Sequence, residues 1–187
     1  MKKGSIILIS IVAVLGLVLL WGISTYNKIV GLSENVDTEY SNVSVTLERR
    51  ADLVPNLVNT VKGYAKHEED VITKVTDARQ KLLNANNMED KAKANDELTS
   101  ALNALMVVVE NYPDLKANTN FINLQDELAG TENRIATARR DYNSAVKSYN
   151  TTIKKVPTNI IASIGNFDKK AYFEVSKEKS EVPNVEF

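Results

Sequence analysis

His67-Glu68-Glu69-Asp70 is the most site-like cluster in the chain. An imidazole beside three carboxylates has the donor types that hold a divalent metal. The zinc-protease pattern, however, needs two His four residues apart on a helix, and position 71 is Val. The competing interpretation is a solvated helix face. No metal or cofactor is assigned.

A second constellation lies further along. Gln125, Glu132 and Arg139 recur every seven residues, so on a helix they line one stripe. Glu132 and Arg139 have the chemistry to pair with other helices, with Arg49, Arg50 and Asp52 as candidate partners. Such a network would fix helix register. Arg50, Asp52, Gln125, Glu132, Asn133, Arg134 and Arg139 are therefore the candidate register or interaction residues. Asp126, Glu132 and Asp141 supply carboxylates, but no nucleophile–base arrangement accompanies them. No Gly-rich phosphate loop occurs either. No catalytic residue is assigned, and the expectation is a protein that is not an enzyme.

The chain of 187 residues is 43% hydrophobic and 25% charged, an ordinary globular mix. Only seven Gly and four Pro leave long uninterrupted stretches for helices. A net charge of -1 gives no basic excess to collect phosphates, which argues against nucleic acid as a partner. Cys is absent, which removes disulfides, thiolate nucleophiles, Cys-based metal sites and a thiol to carry a lipid.

Residues 6–23 form an apolar run broken only by Ser10, Gly16 and Gly22. No charge occurs between Lys3 and Lys28. The uncharged stretch makes a helix of roughly 36 Å, against a hydrocarbon core of about 30 Å. Trp21 and Tyr26 sit near its outer end, where amphipathic rings favour the interface. A secretory signal is the rival, but its apolar region is shorter, and no A-x-A-like site follows. Gly16 and Gly22 have the wrong spacing for a G-x-x-x-G dimer face. The expected anchor partner is the lipid bilayer through residues 6–23. Lys2 and Lys3 precede the run, and Lys28 is the lone basic residue soon after it. That balance places the N-terminus in the cytoplasm and the remainder outside.

The fold class expected is all-α: an N-terminal transmembrane helix, then an antiparallel, up-down bundle of about four long helices. Residues 1–24 form a cytoplasmic stub and anchor, 25–156 the bundle, and 157–187 a short amphipathic segment with an extended tail. The first bundle helix covers about residues 24–50, with Tyr26, Ile29, Val36, Tyr40, Val43 and Leu47 as its spine. A turn near Arg50–Asp52 follows, with Asp52 as N-cap and Pro55 in the first turn of a helix over residues 53–84. A continuous kinked helix over 24–84 is the alternative. The second spine is Leu57, Val61, Tyr64, Val71, Val75, Ala78 and Leu82. The third helix spans about 89–111, with Ala94, Leu98, Leu102, Leu105 and Val109 inward, and residues 112–120 form a loop. The fourth, about 121–154, repeats Phe121, Leu128, Ile135, Tyr142 and Tyr149 every seven residues. Such a repeat favours shallow-angle packing. Pro157 breaks it, residues 158–164 make a short amphipathic turn, and 168–187 are charged and extended. Val182-Pro183-Asn184-Val185-Glu186-Phe187 carries spaced apolar groups able to dock on the bundle or a partner.

Several segments carry a resemblance. They include Tyr26-Asn27-Lys28-Ile29-Val30, Arg49-Arg50-Ala51-Asp52-Leu53-Val54-Pro55-Asn56-Leu57-Val58 and Val61-Lys62-Gly63-Tyr64-Ala65-Lys66-His67-Glu68. Tyr112-Pro113-Asp114-Leu115-Lys116-Ala117, Glu132-Asn133-Arg134-Ile135 and Arg139-Arg140-Asp141-Tyr142-Asn143 carry it most strongly. With Pro157-Thr158-Asn159 and the ending Pro183-Asn184-Val185-Glu186-Phe187, the chain resembles the LemA family of bacterial membrane proteins over nearly its whole length. The resemblance implies a membrane helix and an antiparallel helical bundle, but no reaction.

Two functions fit this reading. One is a membrane-tethered interaction or scaffold protein with an unknown membrane or envelope protein partner. The other is an extracytoplasmic sensor or envelope ligand-binding module. The exposed face of the fourth helix, the 112–120 loop and the tail are the expected docking surfaces.

Overall fold

The computed structural model describes residues 3–65 and 67–174. Their elements are α1 (Lys3–Lys62), α2 (Glu69–Asn84), α3 (Met88–Val109), α4 (Pro113–Lys116), α5 (Thr119–Lys154) and α6 (Thr158–Ile164). The fold is all-α, with no strand among the described residues. The expected docking of residues 182–187 lies outside them.

α1 departs from expectation. No turn occurs at Arg50–Asp52, and Asp52 is not an N-cap: one helix runs from Lys3 to Lys62 with Pro55 inside it. Two physical reasons account for this. The buried positions Ile29, Val36, Val43, Arg50 and Leu57 keep a seven-residue spacing through the region, as do Leu47, Val54 and Val61. A turn would break that phase and expose one half of the seam. Pro55 removes an N–H that would have bonded the Ala51 carbonyl four residues back. Arg79 of α2 fills the vacancy, its Nε donating to Ala51 O at 2.8 Å.

The chain turns instead after Lys62. Gly63 N and Tyr64 N donate three residues back, to Thr60 O and Val61 O, so the helix tightens as it ends. This later break resets the phase of α2. Ile72, Val75, Ala78 and Leu82 are its buried residues. Val71 is half-buried rather than inward. Tyr64 is exposed, not part of the core, and its hydroxyl accepts from Asn118 Nδ2 at 2.9 Å.

α3 begins where Asn87 caps it, Oδ1 accepting from Asp90 N at 2.9 Å. All five of its expected inward residues are buried. The expected 112–120 loop holds the single turn α4, with Pro113 in its first turn and Leu115 buried. Asn118 Oδ1 then accepts from Asn120 N and Phe121 N at the start of α5. Phe121, Leu128, Ile135, Tyr142 and Tyr149 of α5 are all buried.

The described residues divide into two compact units, 3–38 with Ser144–Lys170, and Glu39–Asn143 with 171–174. In the second, moving from Tyr40 to Arg50 along α1 moves from Tyr142 back to Glu132 along α5, so these helices are antiparallel. α2 also returns against α1, since Tyr40 meets Asn86 and Ala51 meets Arg79. α3 runs with α1, pairing Tyr40 with Lys91 and Arg50 with Asn95. The up-down order follows from these pairs.

In the first unit, Ile29, Val36, Val146, Tyr149, Ile153 and Ala162 form the core. Tyr26, expected on the spine, is 45% exposed and lies tilted against Phe167 with ring centroids 5.3 Å apart. From Ile6 to Ile23 the large apolar side chains of α1 are exposed. This stretch is long and apolar enough to cross a membrane, and none of it is buried.

Candidate functional site

Arg50 sits on the apolar seam of α1, so the helix turns its long side chain inward. Nη1 donates to Asn95 Oδ1 of α3 at 2.6 Å and lies 2.8 Å from Glu132 Oε2 of α5. The Arg50 side chain is 5% exposed and that of Glu132 47%. The Glu132 approach is an ion pair without hydrogen-bond direction, so Glu132 Oε2 and Arg50 Nε stay without hydrogen-bond partners. Burial pushes the Arg50 guanidinium below its ordinary range, while the negative charges of Glu132 and Asp96 oppose that shift. Arg nonetheless keeps its proton, so it serves as a fixed cation rather than a base. The arrangement ties α1, α3 and α5 together at one level. It offers neither a nucleophile nor an acid–base pair.

The other candidates fall elsewhere. Asp52, Gln125 and Arg49 are exposed. Arg139 is half-buried, and no ion pair involves it among the described residues. The stripe it shares with Gln125 and Glu132 continues as buried Val146 and Ile153. A straight α-helix drifts about 20° per heptad, so a fixed stripe rolls from solvent toward the core. Asn133 and Arg134 are exposed and line an open groove of about 370 Å³ with Glu39, Asn42, Thr137, Ala138 and Asp141. Asn42 Nδ2 donates to Glu39 Oε2 at 3.0 Å within it. The groove offers donors, acceptors and both signs of charge, which suits a polar segment of a partner.

His67 is exposed. Its neighbour Glu68 accepts from the Tyr112 hydroxyl at 3.1 Å. That hydrogen bond, then burial, then the Glu68 charge push the Tyr112 hydroxyl above its ordinary range. No group of three potential metal ligands forms among the described residues.

Sequence reasoning missed four polar residues. Asn95 is buried between Ala92 and Leu98, and its place on the apolar face of α3 was the available signal. Arg79 had none, because its role depends on a proline in another helix. Asn143 and Asn150 had a clear one: Tyr142-Asn143 and Tyr149-Asn150 repeat the same pair seven residues apart. Asn150 clasps the backbone of Lys170, Nδ2 to Lys170 O at 2.9 Å and Lys170 N to Oδ1 at 3.0 Å. In the other unit Asn143 clasps Phe173 likewise, at 3.0 and 2.8 Å, and the Tyr142 hydroxyl donates to Ala171 O at 2.8 Å. Each amide mimics a strand partner for an extended segment that would otherwise lack one.

Comparison with known proteins adds the lineage. Residues 39–187 match the LemA family. The magnetosome proteins MamQ 1 and MamQ 2 of Paramagnetospirillum magneticum are each 30% identical over 175 residues, covering 80% of this chain. The chain spans 64% of the length of those two relatives. A LemA protein of Metamycoplasma hominis is 25% identical over 152 residues, covering 81% of this chain and 69% of its own length. None of these names denotes an enzyme.

Proposed function

The chain belongs to the LemA family, and from that premise we propose that it is a membrane-tethered, non-enzymatic interaction or scaffold module. It is a helical protein with an apolar helix of membrane-crossing length. One observation carries the tether. Twelve large aliphatic side chains between Ile6 and Leu20 are exposed, with Leu19 at 68%. Removing such a side chain from water is worth about 1.5–3 kcal/mol, so leaving them all in water would be prohibitive for a domain of ordinary stability. Lipid is the medium that resolves this, and residues 6–23 are the span.

The same helix then continues to Lys62, so the span leads into the bundle along one backbone. A tether of this kind raises the local concentration of the bundle near membrane partners. The exposed face of α5 around Asn133 and Arg134 is the docking surface. The balance of Lys2 and Lys3 against Lys28 supports a bundle on the extracytoplasmic side.

Photocrosslinkers placed at Asn133 and Arg134 in intact membranes test the partner surface. A discrete adduct from these positions, absent from the exposed Lys74 of α2, supports it; no reproducible adduct sinks it. Protease shaving of intact cells decides the side, since an extracytoplasmic bundle is digested without breaking the cells.

The groove at Asn133 and Arg134 also favours a second reading, an envelope ligand-binding module. Envelope fragments that bind there raise the melting temperature, and the Arg134→Ala variant loses that rise.

A further inference from the structure

α6 is short and one of its faces has no cover. Ala162 is buried, and Ile161 Cδ1 lies 3.6 Å from where a Cβ on Gly22 would sit. Ile160 and Ile164, one turn apart, are 56% and 75% exposed, and Val156 just ahead is 81% exposed. Gly22 lies in the last turn of the apolar run of residues 6–23. The contact therefore sets α6 at the level where that run ends.

The placement is held firmly. Phe167 rests on Tyr26, and a Cβ on Gly165 would meet the Phe167 ring at 2.5 Å and Tyr26 at 3.2 Å. Only glycine lets the chain leave α6 this close to the two rings. Lys170 Nζ pairs with Asp37 Oδ1 at 2.7 Å and pins the following segment. The charged residues that flank α6 in sequence are Lys154, Lys155, Asp168 and Lys169, all exposed. Lys154, Lys155 and Lys169 make no ion pair among the described residues.

From this juxtaposition we infer that α6 is a second membrane contact, lying in the interface with Val156, Ile160 and Ile164 among the acyl chains and Lys154, Lys155 and Lys169 at anionic headgroups. The inference rests on the reading that α1 spans the bilayer. The continuity of the apolar face with the end of the span argues for lipid as the occupant. So do the three exposed lysines that flank α6 in sequence, set against one acidic residue, Asp168, because Lys near a membrane surface is drawn to anionic headgroups. Such a contact restrains rotation and tilt of α1, since a helix fixed at a second point cannot roll freely.

Trp21 is the chain's single Trp, which makes the test direct. The full-length chain and a Trp21→Phe/Ile164→Trp variant are placed in vesicles of phosphatidylcholine and phosphatidylglycerol. Emission is compared with and without lipids brominated on their acyl chains near the headgroup. Expected is quenching of both indoles, with blue-shifted emission from the one introduced by Ile164→Trp. Quenching of Trp21 alone overturns the inference while leaving the span intact. Quenching of neither overturns both. A blue shift that appears only as protein crowds the vesicles assigns the face to a second copy and also overturns it. If Ile164→Trp lowers the helical circular dichroism, Val156→Trp in the same background decides by the same outcomes.

Discussion

The Nε–H of Arg79 donates to the carbonyl oxygen of Ala51 at 2.8 Å, and that carbonyl is the acceptor Pro55 cannot serve. Ala51 is fully buried, so water cannot take the place of the missing donor. A buried carbonyl without a partner costs about 1–3 kcal/mol. The guanidinium from α2 offsets that penalty, which is why α1 passes through a proline that ordinarily ends or kinks a helix.

The first prediction follows from this substitution of one donor for another. Arg79→Leu is expected to destabilise the chain by about 1–3 kcal/mol. In a Pro55→Ala background the restored N–H at position 55 reaches Ala51 O, and Arg79→Leu should then have a smaller effect. Urea unfolding of the four proteins in detergent gives the coupling, expected at about 0.5 kcal/mol or more. Strictly additive effects would show that Arg79 and Pro55 do not share an acceptor.

The same region shows what was legible in the sequence. The all-α class, the apolar run, the α3 seam and the α5 heptads follow from periodicity, which depends on nearby residues only. The turn did not. Asp52 and Pro55 form a plausible helix start locally, and that signal competed with the unbroken phase of Val43, Arg50 and Leu57. The phase was the better guide, because it records packing along the whole helix. Among the site candidates, Arg50 and Glu132 come together, whereas Asp52, Gln125 and Arg139 do not join them. Which polar residues meet depends on inter-helix register, and periodicity within one helix does not encode that.

A second prediction concerns the buried cation. Asn95→Leu removes the hydrogen bond that Arg50 donates to Asn95 Oδ1 and leaves the guanidinium the ion pair with half-exposed Glu132 and the charge of Asp96, and a loss of about 1–3 kcal/mol is expected. Adding Arg50→Met removes the charge while retaining an apolar stem of similar reach. Replacing buried ionic groups by packed apolar ones is often neutral or stabilising. The double variant should therefore recover much of the loss. An unfolding midpoint lower than that of Asn95→Leu alone would contradict this.

The two asparagine clasps give a third prediction, read by proteolysis. Asn150→Ala removes both hydrogen bonds to the Lys170 backbone, and Asn143→Ala both to Phe173. Asn150→Ala is expected to speed tryptic cleavage after Lys169 and Lys170 while the helical signal is retained. The comparison is the rate of cleavage at these two lysines against that at Lys81, where no change is expected. Equal acceleration at all three would mean general unfolding instead of release of the clasp.

Tyr149 carries the pH prediction. It is 1% exposed, and burial pushes its hydroxyl above the ordinary range, with the charges of Asp168 and Asp37 adding to the shift. The Lys170 ammonium, 6.0 Å from the ring centroid, acts in the opposite sense. A phenol whose folded pKa exceeds its unfolded value, about 10, binds its proton more tightly in the fold. The stability it supports is fully present below the unfolded pKa and is lost as pH rises from there through the folded pKa. Tyr112 is raised too and contributes equally to the parent and to Tyr149→Phe. Melting temperatures measured from neutral to strongly alkaline pH should therefore fall more steeply in the parent than in Tyr149→Phe, with the curves separating only on the alkaline side. Parallel curves throughout would mean that the tyrosinate at position 149 is tolerated where it forms.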